Sequence, residues 1–255
     1  VIALPLVVIL TWFAGTGVFF AVSLVIVTLA LLECLHVFRP QAERSVKVLV
    51  GLGGLGVYTT ICWFPTILPQ VLSVTFLSLA CFYLFRFKDI IPVINDCAIV
   101  LLVWAYVPVL FSHIVLLHAL PDGHKLVFMV LLMTMVCDSC AYFTGTRWGK
   151  HRLYPAVSPK KSIEGALGGI IGAVLAALVS GWTYLPHLSL LGCLGFGVVI
   201  GVFAQVGDLF ESLLKRSAQI KDSGQLFPGH GGMLDRLDSL LFAFPLAYLY
   251  VKMVF

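Results

Sequence analysis

The chain has 255 residues, 60% of them hydrophobic and only 11% charged, with a mean hydropathy of +1.06. That composition excludes a water-soluble globular domain. The net charge of +4 is modest, and its placement suits an anionic leaflet or an anionic substrate approached from the cytoplasm.

Several apolar runs reach the roughly 20 residues needed to cross about 30 Å of hydrocarbon as helix. Backbone groups in lipid must pair internally, and barrel-type alternation is absent, so the runs predict helices. The expected fold is all-α: a polytopic membrane protein of about nine spans. They lie near residues 1–14, 17–38, 47–63, 66–85, 96–119, 126–143, 163–182, 188–210 and 237–255. The first run is short and begins without Met; it is read as a span with a trimmed start, not as a cleaved signal peptide. Residues 1–120 form an N-terminal membrane region of five spans. Residues 121–255 form a C-terminal region of four spans with two charged loops.

In the first region, Glu33 and His36 near the end of the second span are the notable polar pair. They read as interfacial side chains reaching for water, with the outer wall of a site as the other reading. Gly51, Gly53, Gly54 and Gly56 (GLGGLG) mimic a nucleotide fingerprint but lie in a lipid span, where close helix packing is their expected role. His113, His118, His124 and His187 fall on or near one membrane face without an acidic cluster and are read as interfacial. The seven cysteines lie inside or beside spans and are read as small hydrophobes, with no zinc or redox role.

Fourteen of the sixteen Lys and Arg fall in alternate loops: Arg39, Arg44 and Lys47; Arg86 and Lys88; Arg147, Lys150, Arg152, Lys160 and Lys161; Lys215, Arg216, Lys221 and Arg236. Only Lys125 and Lys252 fall opposite. The positive-inside rule makes those four loops cytoplasmic.

The second region carries the chemistry. Seven of the twelve acids lie from Asp138 onward: Asp138, Glu164, Asp208, Glu211, Asp222, Asp235 and Asp238. Asp138 lies within the sixth span and Asp208 at the end of the eighth, depths at which an ionisable group is costly and signals function. A helix continuing from the eighth span aligns Asp208, Glu211, Ser212 and Lys215 in one polar stripe. Asp235 and Asp238 share a face at the head of the ninth span. Carboxylates on neighbouring helix ends suit Mg²⁺, which takes few protein oxygens and completes its shell with water and substrate phosphates. The turn through Gly229, His230, Gly231 and Gly232 lets backbone approach a phosphate, although a plain connector explains the glycines alone equally well. Lys160 and Lys161 follow Ser158-Pro159, read as a turn before the next helix, which Ser162 caps. These paired lysines suit a polyphosphate or anionic lipid headgroups. With no serine–histidine or cysteine–histidine pair at useful spacing, phosphoryl or nucleotidyl transfer is favoured over acyl transfer. A secondary transporter is the rival class, but it would spread acids through both regions.

The segment from Ser212 to Asp238 resembles the signature of the phosphatidate cytidylyltransferase family. It supplies Ser212, Lys215, Arg216, Lys221, Asp222, Gly224, Phe227, Pro228, His230, Gly231, Gly232, Asp235, Arg236 and Asp238 at matching positions. Gly207-Asp208, Ser158-Pro159-Lys160-Lys161 and Asp138 with Ala141-Tyr142 and Gly145 support it. Ser139-Cys140 departs from the Thr-Gly more usual there. The resemblance implies Mg²⁺-dependent transfer of CMP from CTP to phosphatidic acid, at a cytoplasm-facing site in the bacterial inner membrane. It also implies a homodimer, and no nucleic-acid partner is expected. On this reading Asp208 and Asp235 hold the metal, with Asp238 and Asp222 beside them. Asp138 assists them or orients a lysine. Ser158, Lys160, Lys161, Lys215, Arg216, Lys221, Arg236, His230, Gly231 and Gly232 bind the substrates' phosphates. A CTP-dependent enzyme acting on another lipid phosphate shares this chemistry.

Overall fold

A computed structural model describes residues 11–87, 89–224 and 231–255. Its long helices are α1 (Thr16–Phe38), α2 (Arg44–Trp63), α3 (Leu68–Arg86), α4 (Val93–Trp104), α5 (Leu110–His118), α6 (Gly123–Trp148), α7 (Ile163–Thr183), α8 (Leu190–Ser217) and α9 (Leu234–Val254). A 3₁₀ turn, Pro65–Ile67, leads into α3. A π-helical stretch, Ala105–Val109, joins α4 to α5 around Pro108, whose missing N–H removes a rung of the ladder. Eight helical segments among the described residues are long and apolar enough to cross a membrane. The protein is an all-α integral membrane protein. The expected first span lies mostly outside the described residues.

One correction concerns the loop before α7. Ser158-Pro159 does not turn there. Arg152–Tyr154 (β1) and Ser158–Ser162 (β2) form a short antiparallel hairpin, with Arg152 opposite Ser162 and Tyr154 opposite Ser158. Ser162 then caps α7 as expected, its hydroxyl accepting from the Gly165 amide at 3.1 Å.

The helices pack as two compact units. The first comprises the described part of Val1–Phe19 with Ile114–Lys221 and Arg236–Phe255; the second comprises Phe20–His113 with the described part of Asp222–Asp235. In the first, α7 packs between α6 and α8. The contact with α6 depends on small residues: a Cβ on Gly165 would stand 2.8 Å from the Ala141 carbonyl, and one on Gly172 2.7 Å from the Cys140 sulfur. Gly172 thereby makes room for the cysteine that departs from the signature. All seven cysteines are free. His118 is buried and stacked on Phe19 at 4.1 Å between centroids.

Lys125 and Lys252, the exceptions to the charge asymmetry, have local partners. Lys125 bonds Asp122 at 2.8 Å and holds that carboxyl below its ordinary range, while Lys252 lies 5.3 Å from the Tyr248 ring centroid.

In the second unit two of the four GLGGLG glycines, Gly53 and Gly54, are closely packed, whereas Gly51 and Gly56 have open space around them. Cβ atoms at Gly53 and Gly54 would collide with Trp104 and Leu31, and the Trp104 indole donates to the Val50 carbonyl at 2.9 Å. Arg39 pairs with Asp96, a buried acid on α4.

Candidate active site

In the first unit the close approach of α8 and α9 sets the geometry. A Cβ on Gly207 would lie 2.5 Å from the Asp238 carbonyl oxygen and 3.1 Å from the Phe242 Cβ. Only glycine admits the α9 backbone at that distance. The next residue is Asp208, so the contact that demands glycine also carries two carboxylates to the same level.

Asp138 on α6 joins them. Asp138, Asp208 and Asp238 lie within electrostatic reach of one another, with Lys161 and Lys215 near enough to offset part of their charge. The hairpin delivers Lys161, whose ammonium meets Asp208 Oδ2 at 2.6 Å with each side chain about 30% exposed. One turn along α8, Glu211 is fully buried and its carboxylate meets the Lys215 ammonium at 3.0 Å. The polar stripe expected along α8 therefore exists, and part of it is an internal ion pair. Breaking such a pair by removing one member is costly.

Other expected phosphate binders hold varied positions. Lys160 points outward on β2, and its carbonyl accepts from Arg152 at 3.2 Å. Arg216 donates to the Val157 and Ile220 carbonyls at 3.4 and 3.3 Å, tying the hairpin to the end of α8. Ser158 is half-buried at the start of β2, and Lys221 is exposed. Glu164 organises the hairpin's base, accepting from the Lys150 and His151 amides and from the His151 ring at 2.6 Å.

In the second unit Asp235 stands at the head of α9 as a receiver of hydrogen bonds. Its Oδ2 accepts from the Ser223 amide at 3.1 Å, the Ser223 hydroxyl at 3.0 Å and the Gly232 amide at 2.8 Å. Gly231 adopts φ +80°, and a Cβ there would stand 2.7 Å from the same oxygen. Glycine is required at that position for both reasons. Asp222 and Arg236 are exposed, and His230 lies outside the described residues with Phe227 and Pro228.

Glu33 is the residue that sequence reasoning placed wrongly. Its Oε2 accepts from the Leu234 amide at 2.8 Å, across 201 positions of sequence. The favoured reading, a side chain reaching for water, is overturned because the carboxylate faces the amide that opens α9. The usable signal was its charge within an apolar span.

Among the described residues, no three His, Cys, Asp or Glu side chains converge into a ready-made metal cage. A hard cation that keeps water and takes phosphate oxygens needs no such cage.

The chain matches the model of the Cytidylyltransferase family over residues 1–254. It is 37% identical over 190 residues to the phosphatidate cytidylyltransferase of Thermotoga maritima, covering 72% of this chain and 70% of that one. It is 39% identical over 151 residues to that of Staphylococcus epidermidis, covering 59% of this chain and 57% of that one. The Bacillus subtilis phosphatidate cytidylyltransferase is 37% identical over 155 residues, covering 60% and 58%. The matched stretch thus spans somewhat over half the length of the last two relatives.

Proposed function

The chain belongs to the cytidylyltransferase family, and from that premise we propose that it transfers CMP from CTP to phosphatidic acid. A phosphate oxygen of the lipid attacks the α-phosphorus of CTP. The bond from that phosphorus to the bridging α–β oxygen breaks, leaving pyrophosphate and CDP-diacylglycerol. A phosphate monoester is already largely ionised near neutrality, so its oxygen needs little help from a general base. The barrier is electrostatic, an anion approaching a polyanion.

The observation that carries this reading is the grouping of Asp138, Asp208 and Asp238 with Lys161 and Lys215 where α8 meets α9. Counted with Glu211, four carboxylates face two ammonium groups, an excess of two negative charges. All the donors are hard oxygens, so the set fits a divalent cation such as Mg²⁺. Asp208 and Asp238 would hold it, with Asp235 at the head of the helix that carries Asp238. When bound, the ion supplies positive charge to the phosphate oxygens. Lys161 orients Asp208, its ammonium buried beside that carboxylate, and would meet the polyphosphate on substrate binding. Lys160, Lys221 and Arg236 are exposed cations for phosphate or headgroup, and His230, Gly231 and Gly232 are assigned to the nucleotide's phosphates on the family signature. Asp138 orients Lys161 through charge. The site faces the cytoplasm of the bacterial inner membrane, consistent with the asymmetry of basic loops, and the protein works as a homodimer.

Radiolabelled CTP and phosphatidic acid in detergent test the proposal, with and without Mg²⁺, for the natural chain and Asp208→Asn. Lipid-linked CMP should form only with the metal and the intact carboxylate. Label transfer that survives both losses would refute the mechanism. Substituting other lipid phosphates for phosphatidic acid separates the assignment from a related enzyme with a different acceptor.

A further inference from the structure

The loop before α9 has its two described ends, Ser223-Gly224 and Gly231-Gly232, gathered around two carboxylates. One is Asp235, bonded to the Ser223 amide and hydroxyl and to the Gly232 amide. The other is Glu33, from α1. Besides accepting from the Leu234 amide at 2.8 Å, it excludes side chains from both loop ends. A Cβ on Gly224 would lie 2.8 Å from Glu33 Oε1 and 3.1 Å from its Cδ; one on Gly232 would lie 2.5 Å from Oε2. The two glycines leave the room that the Glu33 carboxylate fills.

We propose that Glu33 is a positioning residue: it holds the described ends of the glycine-bearing loop, Ser223-Gly224 and Gly231-Gly232, at the first turn of α9, and so fixes the Gly231-Gly232 backbone that the proposed function assigns to the nucleotide's phosphates. The role of that loop rests on the function proposed above; the clamp itself does not. Three physical facts make the contact strong. The Leu234 amide belongs to the first turn of α9, which has no carbonyl of its own to bond. A carboxylate at a helix N-terminus is favoured by the backbone dipoles. A charged acceptor roughly doubles the strength of a neutral hydrogen bond. Holding the start of α9 from a helix 201 positions away sets the Gly232 and Leu234 backbone before substrate arrives, which lowers the ordering cost of binding.

Gly224 provides the internal control. The three atoms nearest its would-be Cβ all belong to Glu33. Gly224→Ala should therefore push the Glu33 carboxylate aside and weaken its bond to Leu234, approaching the loss of Glu33 itself. The full chain in detergent is compared as natural protein, Glu33→Gln, Glu33→Ala, Gly224→Ala and the double variant Glu33→Ala/Gly224→Ala. Hydrogen exchange over residues 231–238 and the steady-state constants for CMP transfer are both measured.

Glu33→Ala should speed exchange there by about tenfold or more and raise the KM for CTP by a similar factor. The KM for phosphatidic acid should change less than threefold. Glu33→Gln keeps an acceptor oxygen and the side chain's shape, so it should recover most of both. Gly224→Ala should match Glu33→Ala, and the double variant should be no worse than either. Exchange unchanged by Glu33→Ala, or single effects that multiply in the double variant, would overturn the clamp. Should Glu33→Ala not fold, comparing Glu33→Gln with Gly224→Ala decides the matter alone. Absence of CMP transfer in the natural protein would refute the proposed function, and the exchange measurements would still judge the clamp.

Discussion

Replacing Gly207 by alanine tests whether the approach of α8 to α9 underlies activity. The added Cβ would sit 2.5 Å from the Asp238 carbonyl oxygen and 3.1 and 3.2 Å from Phe242 carbon atoms. Ordinary contact begins near 3.4 Å, so the helices must part by about 0.9 Å, the difference between 3.4 and 2.5 Å. The obstacle is main chain, which no rotamer change relieves. Overpacking of this kind costs about 1–3 kcal/mol, which is less than most domains' stability, so the variant should fold. Displacement of Asp208 from Asp238 by that distance should cost about a hundredfold in rate, because misplacing reacting groups by ~1 Å has that effect. CMP transfer in detergent, measured beside thermal unfolding, provides the assay. A folded Gly207→Ala protein with turnover within twofold of the natural chain would refute the argument that this contact sets the carboxylate geometry.

Other substitutions probe the rest of the site. Lys161→Met should lower kcat/KM by about a hundredfold with little change in Tm, since its partner Asp208 is partly exposed and stays hydrated; Lys161→Arg should restore part of the rate. Lys215→Met removes the ammonium that meets the fully buried Glu211 and should destabilise by about 3–5 kcal/mol, whereas adding Glu211→Gln should recover much of that in the same melting experiment. Chelating divalent cations should abolish CMP transfer, and Mg²⁺ should restore it, whereas far-ultraviolet circular dichroism stays constant because packing holds the helices. Arg39→Met should lower the melting temperature by leaving Asp96 buried without its partner, and Arg39→Met/Asp96→Asn should recover it.

Much of the architecture was legible because lipid leaves the backbone so few choices. Apolar runs of span length had to be helices, and the described ends of α1, α2, α3, α7 and α9 fall within a few residues of the expected ones. The extension of α8 through Lys215 was legible from the stripe of Asp208, Glu211 and Lys215. The Ser162 cap and the packing role of Gly53 and Gly54 were read correctly for the same local reason. The β1–β2 hairpin was not, because Pro159 reads as a turn in isolation and only pairing with Arg152–Tyr154 makes it strand.

The sequence alone determined which residues are costly to keep in a membrane: Asp138, Asp208, Asp238 and the lysines of two loops stand out against a background that is 60% hydrophobic. It also determined the helices that bear them, since helix periodicity is local. Partnership was decided by tertiary structure. That Lys161 meets Asp208, that Lys215 belongs to Glu211, and that Glu33 holds an amide 201 positions away follow from which backbones approach closely enough. Glycines at 207, 224 and 232 permit that approach, and a glycine in sequence does not announce which neighbour needs its space.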